Sequence, residues 1–287
     1  MAEISASLVK ELRDKTGAGM ADCKKALVET EGDMALAIDV LRKKGAASAA
    51  KRADKEANEG VISAKITDDK KTAAIVEIVC ETDFVARNAE FDAFVNSVAD
   101  AVLANNAENL DEINALNIGD DTVHGKHSEI LAKFSERIEI RRFAKWNTEG
   151  TIASYIHAGN KLGIMLDINV ANINDESYAL LRDIAMQVAA MNPQFVYSAD
   201  VDKATLDKEF EIYKQQALDS GKKADIAEKI AQGRVEKFYT ENCLAEQTFV
   251  KDPSLTIADV LKKIGELNGS EVKINRMLRF ALGEAQA

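Results

Sequence analysis

Three histidines, three cysteines and one glycine-flanked turn are the residues of this chain whose types most readily support chemistry. His124 and His127 stand three apart in a polar stretch and could share a metal ion, but two ligands without a third do not make a site. A solvated loop is the plainer reading of that pair. His157 sits alone at the turn of a hairpin, and nothing next to it makes it catalytic. Cys23, Cys80 and Cys243 are far apart, odd in number and without CxxC spacing. That pattern argues against a zinc ribbon and a disulfide framework, and the three read as small core or surface residues. The Thr16–Met20 stretch TGAGM has two glycines but lacks the Lys and Ser/Thr of a phosphate loop, so it reads as a connection between helices. Walker, GxGxxG and GxSxG motifs are missing from the sequence. The remaining carboxylates are scattered as on any acidic surface. The residues point to binding rather than to bond chemistry.

One octapeptide is unusual. Glu81-Thr82-Asp83-Phe84-Val85-Ala86-Arg87-Asn88 lies between an expected strand and an expected helix. In one reading Thr82 or Asp83 is a local cap while Phe84 and Val85 pack inward as a staple. In the other, Phe84 is an exposed aromatic on a rigid strand-to-helix turn, flanked by charge and ready to insert into a partner, as interface anchors do.

Hydrophobic periodicity predicts the helices and strands around these residues. Ser5 caps a first helix with Leu8, Val9 and Leu12 on one face. A second carries Cys23, Ala26 and Leu27 inward. Asp33 caps a third, with Ala37, Ile38 and Leu41 inward and Gly45 as its expected C-terminal stop. Then the period changes. Val61–Thr67 and Thr72–Cys80 are β-rich runs around DDKK, which predicts a hairpin. Asn88 caps a helix bearing Phe91, Phe94, Val95, Val98 and Val102 at spacings of three and four. Residues 108–126 read as a loop, followed by a short helix at Ser128–Phe134 and a strand at Ile138–Phe143.

The same order then recurs. Thr151–His157 and Leu162–Val170 predict a second hairpin. A helix at Glu176–Met191 turns Leu180, Leu181, Ile184 and Val188 inward. A helix at Ile257–Leu267 leads to a strand at Val272–Leu282. This repetition implies an internal duplication. The hairpins are offset by about 91 residues but the closing strands by about 135, so the second half holds an insertion of about 44 residues. Thr205–Glu246 fits that length. Leu206, Phe210, Tyr213 and Ala217 share one helical face, Ser220–Lys223 breaks it, and a return helix places Ile226, Ile230 and Phe238 on the seam. An antiparallel helical hairpin results, better suited to touching a partner than to housing chemistry.

The whole chain agrees with a binding protein. Its 287 residues are 46% hydrophobic and 30% charged, with two prolines, which suits a helix-rich globular fold. The net charge of −11 disfavours nucleic acid as the main ligand, because phosphate neutralisation calls for a basic face. No run reaches the roughly 18 apolar residues that span a membrane. The start, MAEISASLVKELRDKTG, has neither the basic opening nor the apolar stretch of a signal peptide, so a cytoplasmic protein is expected.

Several blocks resemble one family in order. The opening SLVKELRDKTGAGMADCKKALVETEGDMALAIDVLRKKG resembles the ubiquitin-associated-like N-terminal module of the elongation factor Ts family. ETDFVARN resembles that family's TDFVA motif, and YIHAGNKLGIMLDIN, AMQVAAMNPQFV, SGKKADIAEKIAQGRVEKF and QTFVKDPSLTIADVLKK continue the match. The resemblance implies an α+β fold: a three-helix ubiquitin-associated-like bundle, a core of two related β-hairpin/helix halves and an inserted antiparallel coiled-coil arm. The implied division is a module at 1–45, a linker at 46–58, a first core half at 59–146 and a second at 147–204. The arm follows at 205–246, and 247–287 completes the second half. The implied activity is guanine-nucleotide exchange on elongation factor Tu, GDP-bound and nucleotide-free, with no bond chemistry, cofactor or metal of the chain's own. Direct nucleic-acid contact is not implied, and the complex is one-to-one or homodimerised. Asp83 and Phe84 match the pair that enters the partner's G domain, with Thr82 and Val85 beside them in the motif. His157 matches a histidine of the same Phe-centred contact, and Met20 and Lys24 match module positions facing the partner's nucleotide end. The sequence departs from the pattern at Lys133-Phe134-Ser135-Glu136, where many members have a Lys-Ile-Gly-Glu-like turn, so Phe134 and Ser135 are not assigned.

Overall fold

Ser5 caps the first helix by accepting the Leu8 N–H at 3.2 Å, as its expected role requires. The structure, a computed structural model, describes residues 4–52 and 54–284. Residues 1–3 of the expected module, Ala53 in the expected linker and residues 285–287 at the C-terminal end lie outside the described residues.

Three helices come first: α1 (Ala6–Thr16), α2 (Met20–Glu29) and α3 (Met34–Lys51). Val9, Leu12, Cys23, Ala26, Leu27, Ala37 and Leu41 meet in one small core. The stop expected at Gly45 is overturned, because α3 runs through it for another turn and a half. A Cβ on Gly45 would lie 2.6 Å from the Ala132 backbone, so the glycine is there for close packing between helices. That approach offsets the roughly 1 kcal/mol that a mid-helix glycine costs.

Next come β1 (Glu59–Ile66) and β2 (Thr72–Cys80), a one-turn helix α4 (Asp83–Ala86) and the long α5 (Ala89–Ala104). Asn88 caps α5 by accepting from the Glu90 N–H at 2.9 Å, and Phe91, Phe94, Val95, Val98 and Val102 are all buried. Burial of Phe91 alone contributes on the order of 2–3 kcal/mol. The loop expected over 108–126 is largely structured. It holds α6 (Leu110–Ala115), capped by Asn109, a two-residue ribbon of β3 (Asn117–Ile118) and β4 (Asp121–Thr122), and the first turn of α7 (Val123–Phe134), capped by Thr122. The strand β5 (Ile138–Asn147) then pairs antiparallel with β2.

The second half contains β6 (Thr151–Ile156), β7 (Leu162–Ile168) and α8 (Asp175–Met191). Helices α9 (Lys203–Asp219) and α10 (Ala224–Asn242) form the expected hairpin, then α11 (Ile257–Asn268) and β8 (Ile274–Ala281) close the chain. Arg234 donates to Gln216 at 2.6 Å and Leu206 packs near Phe238 and Tyr239, so α9 and α10 run antiparallel. Ile226 does not join their seam; it is exposed, and Ala227, Ala231, Val235 and Phe238 take the inner positions. Small residues let the two helices approach closely. At the root, Phe195 bridges to Cys243, so the arm leaves and re-enters the body at neighbouring points.

The architecture is mixed helix and sheet. Its two three-stranded antiparallel sheets have the orders β1-β2-β5 and β6-β7-β8. They match residue for residue at a step of 90: Gly60 with Gly150, Ile62 with Ile152, Lys70 with Asn160 and Glu77 with Asp167. Both sheets also bulge immediately after that carboxylate. The sheets face each other across Ile62, Ile75, Ile152, Met165 and Phe280. Helix α5 covers the outer face of the first sheet, and α8 with α11 covers that of the second.

Candidate functional site

The turn between β2 and α5 is held from below and bare on top. Thr82 caps α4 and is itself gripped by Glu136, which accepts from the Thr82 N–H at 3.1 Å and from its hydroxyl at 2.7 Å. Glu81 accepts two bonds from the Arg52 guanidinium, both at 2.6 Å, and a third from the Arg137 N–H at 2.6 Å. These bonds to Arg52 lead the causes that hold the Glu81 carboxyl down at about 2. Beside it Cys80 is buried, and desolvation pushes its thiol up to about 12, which leaves it an inert packing group. Val85 points into the core, while Phe84 is 84% exposed. Thr82 therefore caps and Val85 packs, but no staple forms with Phe84. Asp83 pairs with Arg87 at 3.2 Å on the rim of the aromatic.

His157 sits on the neighbouring hairpin. Its Nδ1 lies 2.9 Å from the Tyr155 hydroxyl, and its backbone N–H donates to the Leu162 carbonyl at 2.9 Å. That turn is tied to the first sheet. The Ile62 N–H donates to Asn160 at 2.7 Å, and Lys161 pairs with Glu59 at 2.5 Å. Since Glu59 is the register partner of Cys80, the His157 turn is anchored one residue from the start of the motif turn.

Met20 and Lys24 occupy successive turns of α2, exposed and opposite Cys23 and Leu27. Residues 1–45 carry eight Lys and Arg against eight Asp and Glu, so this bundle is balanced in charge within a chain of net charge −11. It is docked on α7 through Gly45 and through the ion pairs of Arg42 with Asp121 and Glu129. Helix α7 ends at Ser135, which adopts the left-handed conformation at φ 54°, and its next residue is the Glu136 that grips Thr82. Bundle and motif turn thus share one support. Phe134 is half-buried against the first core rather than presented to solvent.

His124 and His127 do not lie in a loop. His127 is in α7, stacked on Phe94 at 5.9 Å, with Nε2 donating to the Ile138 carbonyl at 2.9 Å. Burial lowers its pKa against the opposing effect of that bond. Among the described residues no group of three or more His, Cys, Asp or Glu is arranged to hold a metal ion. All three cysteines are buried and free. A groove of about 660 Å³ between α11 and the segment leading into β8 is remote in sequence from the motif turn and lined by Leu261, Lys262, Glu266 and Lys273. Sequence reasoning missed the supports Arg52, Glu81 and Glu136, whose partners stand 29 to 56 positions away.

The sequence profile described as Elongation factor TS matches residues 81–284. The chain belongs to the elongation factor Ts family. It is 46% identical over 289 residues to elongation factor Ts of Chloroherpeton thalassium, covering 99% of this chain and 100% of that one. The corresponding protein of Clostridium perfringens is 44% identical over 283 residues, with 98% and 93% covered. That of Clostridioides difficile is 43% identical over 289 residues, with 99% and 94% covered. The elongation factor Ts profile starts at Glu81 and so takes in the motif turn, Glu136, His157 and the arm. Met20 and Lys24 precede it and fall within the full-length elongation factor Ts matches. Among the described residues no helix is long and apolar enough to cross a membrane.

Proposed function

We propose that this chain is a guanine-nucleotide exchange factor of translation elongation, which binds elongation factor Tu carrying GDP and promotes release of the nucleotide. One observation carries the proposal: a large aromatic, Phe84, stands 84% exposed on a turn braced by two carboxylates. A soluble protein gains nothing in its own fold from such a residue, whereas a rigid exposed aromatic is what an interface anchor requires. Phe84 wedges between helices of the partner's G domain with Asp83 beside it, while Thr82 and Val85 hold the turn. His157 supports the same contact from the adjoining hairpin. Met20 and Lys24 approach the partner near its nucleotide, and the α9–α10 arm, read as a coiled coil, adds a separate contact.

The wedge disturbs the partner groups that hold Mg²⁺ against the GDP phosphates. A metal bridging phosphates is a large local charge, so loss of its ligands weakens nucleotide binding strongly. The thermodynamics are those of linkage. A factor that binds the nucleotide-free partner more tightly than the GDP form weakens GDP by the same ratio. This chain needs no bond-breaking residue of its own for that. We assign the bundle to 1–45, a connecting segment to 46–58 that starts as helix, core halves to 59–146 and 147–204, the arm to 205–246 and the closing segment to 247–287. The work is cytoplasmic, and the complex forms one-to-one or through a homodimer.

The test is release of fluorescent GDP from purified elongation factor Tu, chased with excess unlabelled GDP. Strong acceleration at substoichiometric amounts of this protein is expected. No acceleration with a cognate partner and folded protein overturns the proposal.

A further inference from the structure

Two arginines join the sheets by a reciprocal pair of contacts. On β5, Arg142 donates through Nε to buried Glu77 at 2.6 Å within its own sheet. Its Nη2 reaches across to the Ala281 carbonyl at the end of β8, 3.1 Å away, and its plane lies 4.2 Å from the centre of the Phe280 ring. On β8, Arg276 does the same in reverse. Its Nε donates to buried Asp167 at 2.8 Å, its Nη2 donates to the Asn147 carbonyl at the end of β5 at 2.7 Å, and its plane lies 4.5 Å over Trp146. The counterparts keep one step of 134 residues: 142 with 276, 146 with 280, and 147 with 281. Each closing strand thus gives one arginine and receives another five residues further on, about 16 Å of extended chain. Set that far apart, the two bridges resist rotation of one sheet on the other, alongside the buried core and the backbone bonds that also join them.

The angle between the sheets matters because each carries one of the two turns of the site. The Phe84 turn is bonded to the first sheet through Arg137, just before β5, and His157 belongs to the second sheet. We propose that Arg142 and Arg276 are positioning residues for nucleotide exchange, holding the two sheets at one angle so that both turns meet the partner as a single surface. This rests on the exchange-factor reading. The residue type is informative: a guanidinium serves an ion pair, a second hydrogen bond and a ring face at once, whereas lysine offers only a point charge.

The test uses Arg142→Lys combined with Arg276→Lys. A cation stays beside each buried carboxylate while the fork and flat face that cross between sheets are lost. Spin labels on cysteines introduced at exposed Ala89 and Ala158 report the separation of the two turns. One narrow distance is expected in the parent and a broadened or displaced one in the double variant. Saturated GDP release from elongation factor Tu is expected to fall on the order of tenfold, equivalent to about 1.4 kcal/mol. The unfolding temperature should shift by only a few degrees. A merely structural pair would lower that temperature and leave the distances alone. Unchanged distances in the folded double variant overturn the proposal, and so does unchanged saturated exchange despite altered distances. If the parent itself fails to accelerate release, the exchange-factor reading fails, and the distances still decide whether the arginines hold the turns. Should the double variant not fold, Arg276→Lys alone carries both readouts.

Discussion

If Phe84 is the proposed anchor, truncating it should lower exchange while leaving the fold intact. In the free protein the ring is 84% exposed, so Phe84→Ala removes little buried area, and its effect on stability is expected within about 0.5 kcal/mol. In a complex where the ring is swallowed by the partner, losing it forfeits about 2–3 kcal/mol of apolar burial. Ten-fold corresponds to 1.4 kcal/mol, so the acceleration of GDP release should drop on the order of 30- to 100-fold. Val85→Ala is the matching control. That side chain is 5% exposed and packed beside Val61 and Phe91, so its truncation should cost on the order of 1–2 kcal/mol of stability. The assay is stopped-flow release of fluorescent GDP from elongation factor Tu across factor concentrations, paired with thermal melts of each variant. An unaltered release curve for a Phe84→Ala protein that melts like the parent would rule out Phe84 as the anchor.

Three further outcomes follow from the supports of the turn. Glu136→Ala removes both bonds to Thr82 and should cost about 1–3 kcal/mol locally; faster amide hydrogen exchange at Thr82–Val85 with slower GDP release is expected, and unchanged exchange at those amides would argue against the brace. Glu81 titrates at about 2 rather than the ordinary 4.5, so the folded state favours its charged form. The stability it adds is complete above about pH 4.5 and is lost as pH falls toward 2, and Glu81→Gln should flatten that part of the acid-unfolding profile. Ser135→Gly relieves a left-handed residue at φ 54° and should stabilise by about 1 kcal/mol, read as a rise of a few degrees in the melting temperature.

Most of the secondary structure was legible because it rests on local signals. Asn88 and the spacing of Phe91, Phe94, Val95, Val98 and Val102 announce α5 without help from the rest of the chain. Where expectation failed, a distant neighbour had the deciding vote. Gly45 has the local signature of a stop, yet α7 needs a residue without a side chain beside Ala132. His127 looks polar until Phe94 and the Ile138 carbonyl surround it. The octapeptide marked the candidate site, but its two readings could not be separated locally, since packed and projecting Phe84 have identical sequences. What separates them is the ring's exposure on a turn bonded to Glu136 and Arg52, contacts set by the tertiary fold.

The backbone bonds between the sheets come in the same mirrored form as the arginines: the Ile62 N–H to Asn160, and the Ile152 N–H to Lys70. Contacts in which i meets j and j meets i are the mark of a two-fold homodimer. A free half-chain carrying both the donor edge and the acceptor turn would pair with its own copy through these same groups. Fusing two such halves turns an association that depends on concentration into one that is permanent. It also ends the requirement that both copies stay alike. One half could then keep a projecting phenylalanine where the other has Asn174, and the other could accept the α9–α10 arm, without either change being imposed twice.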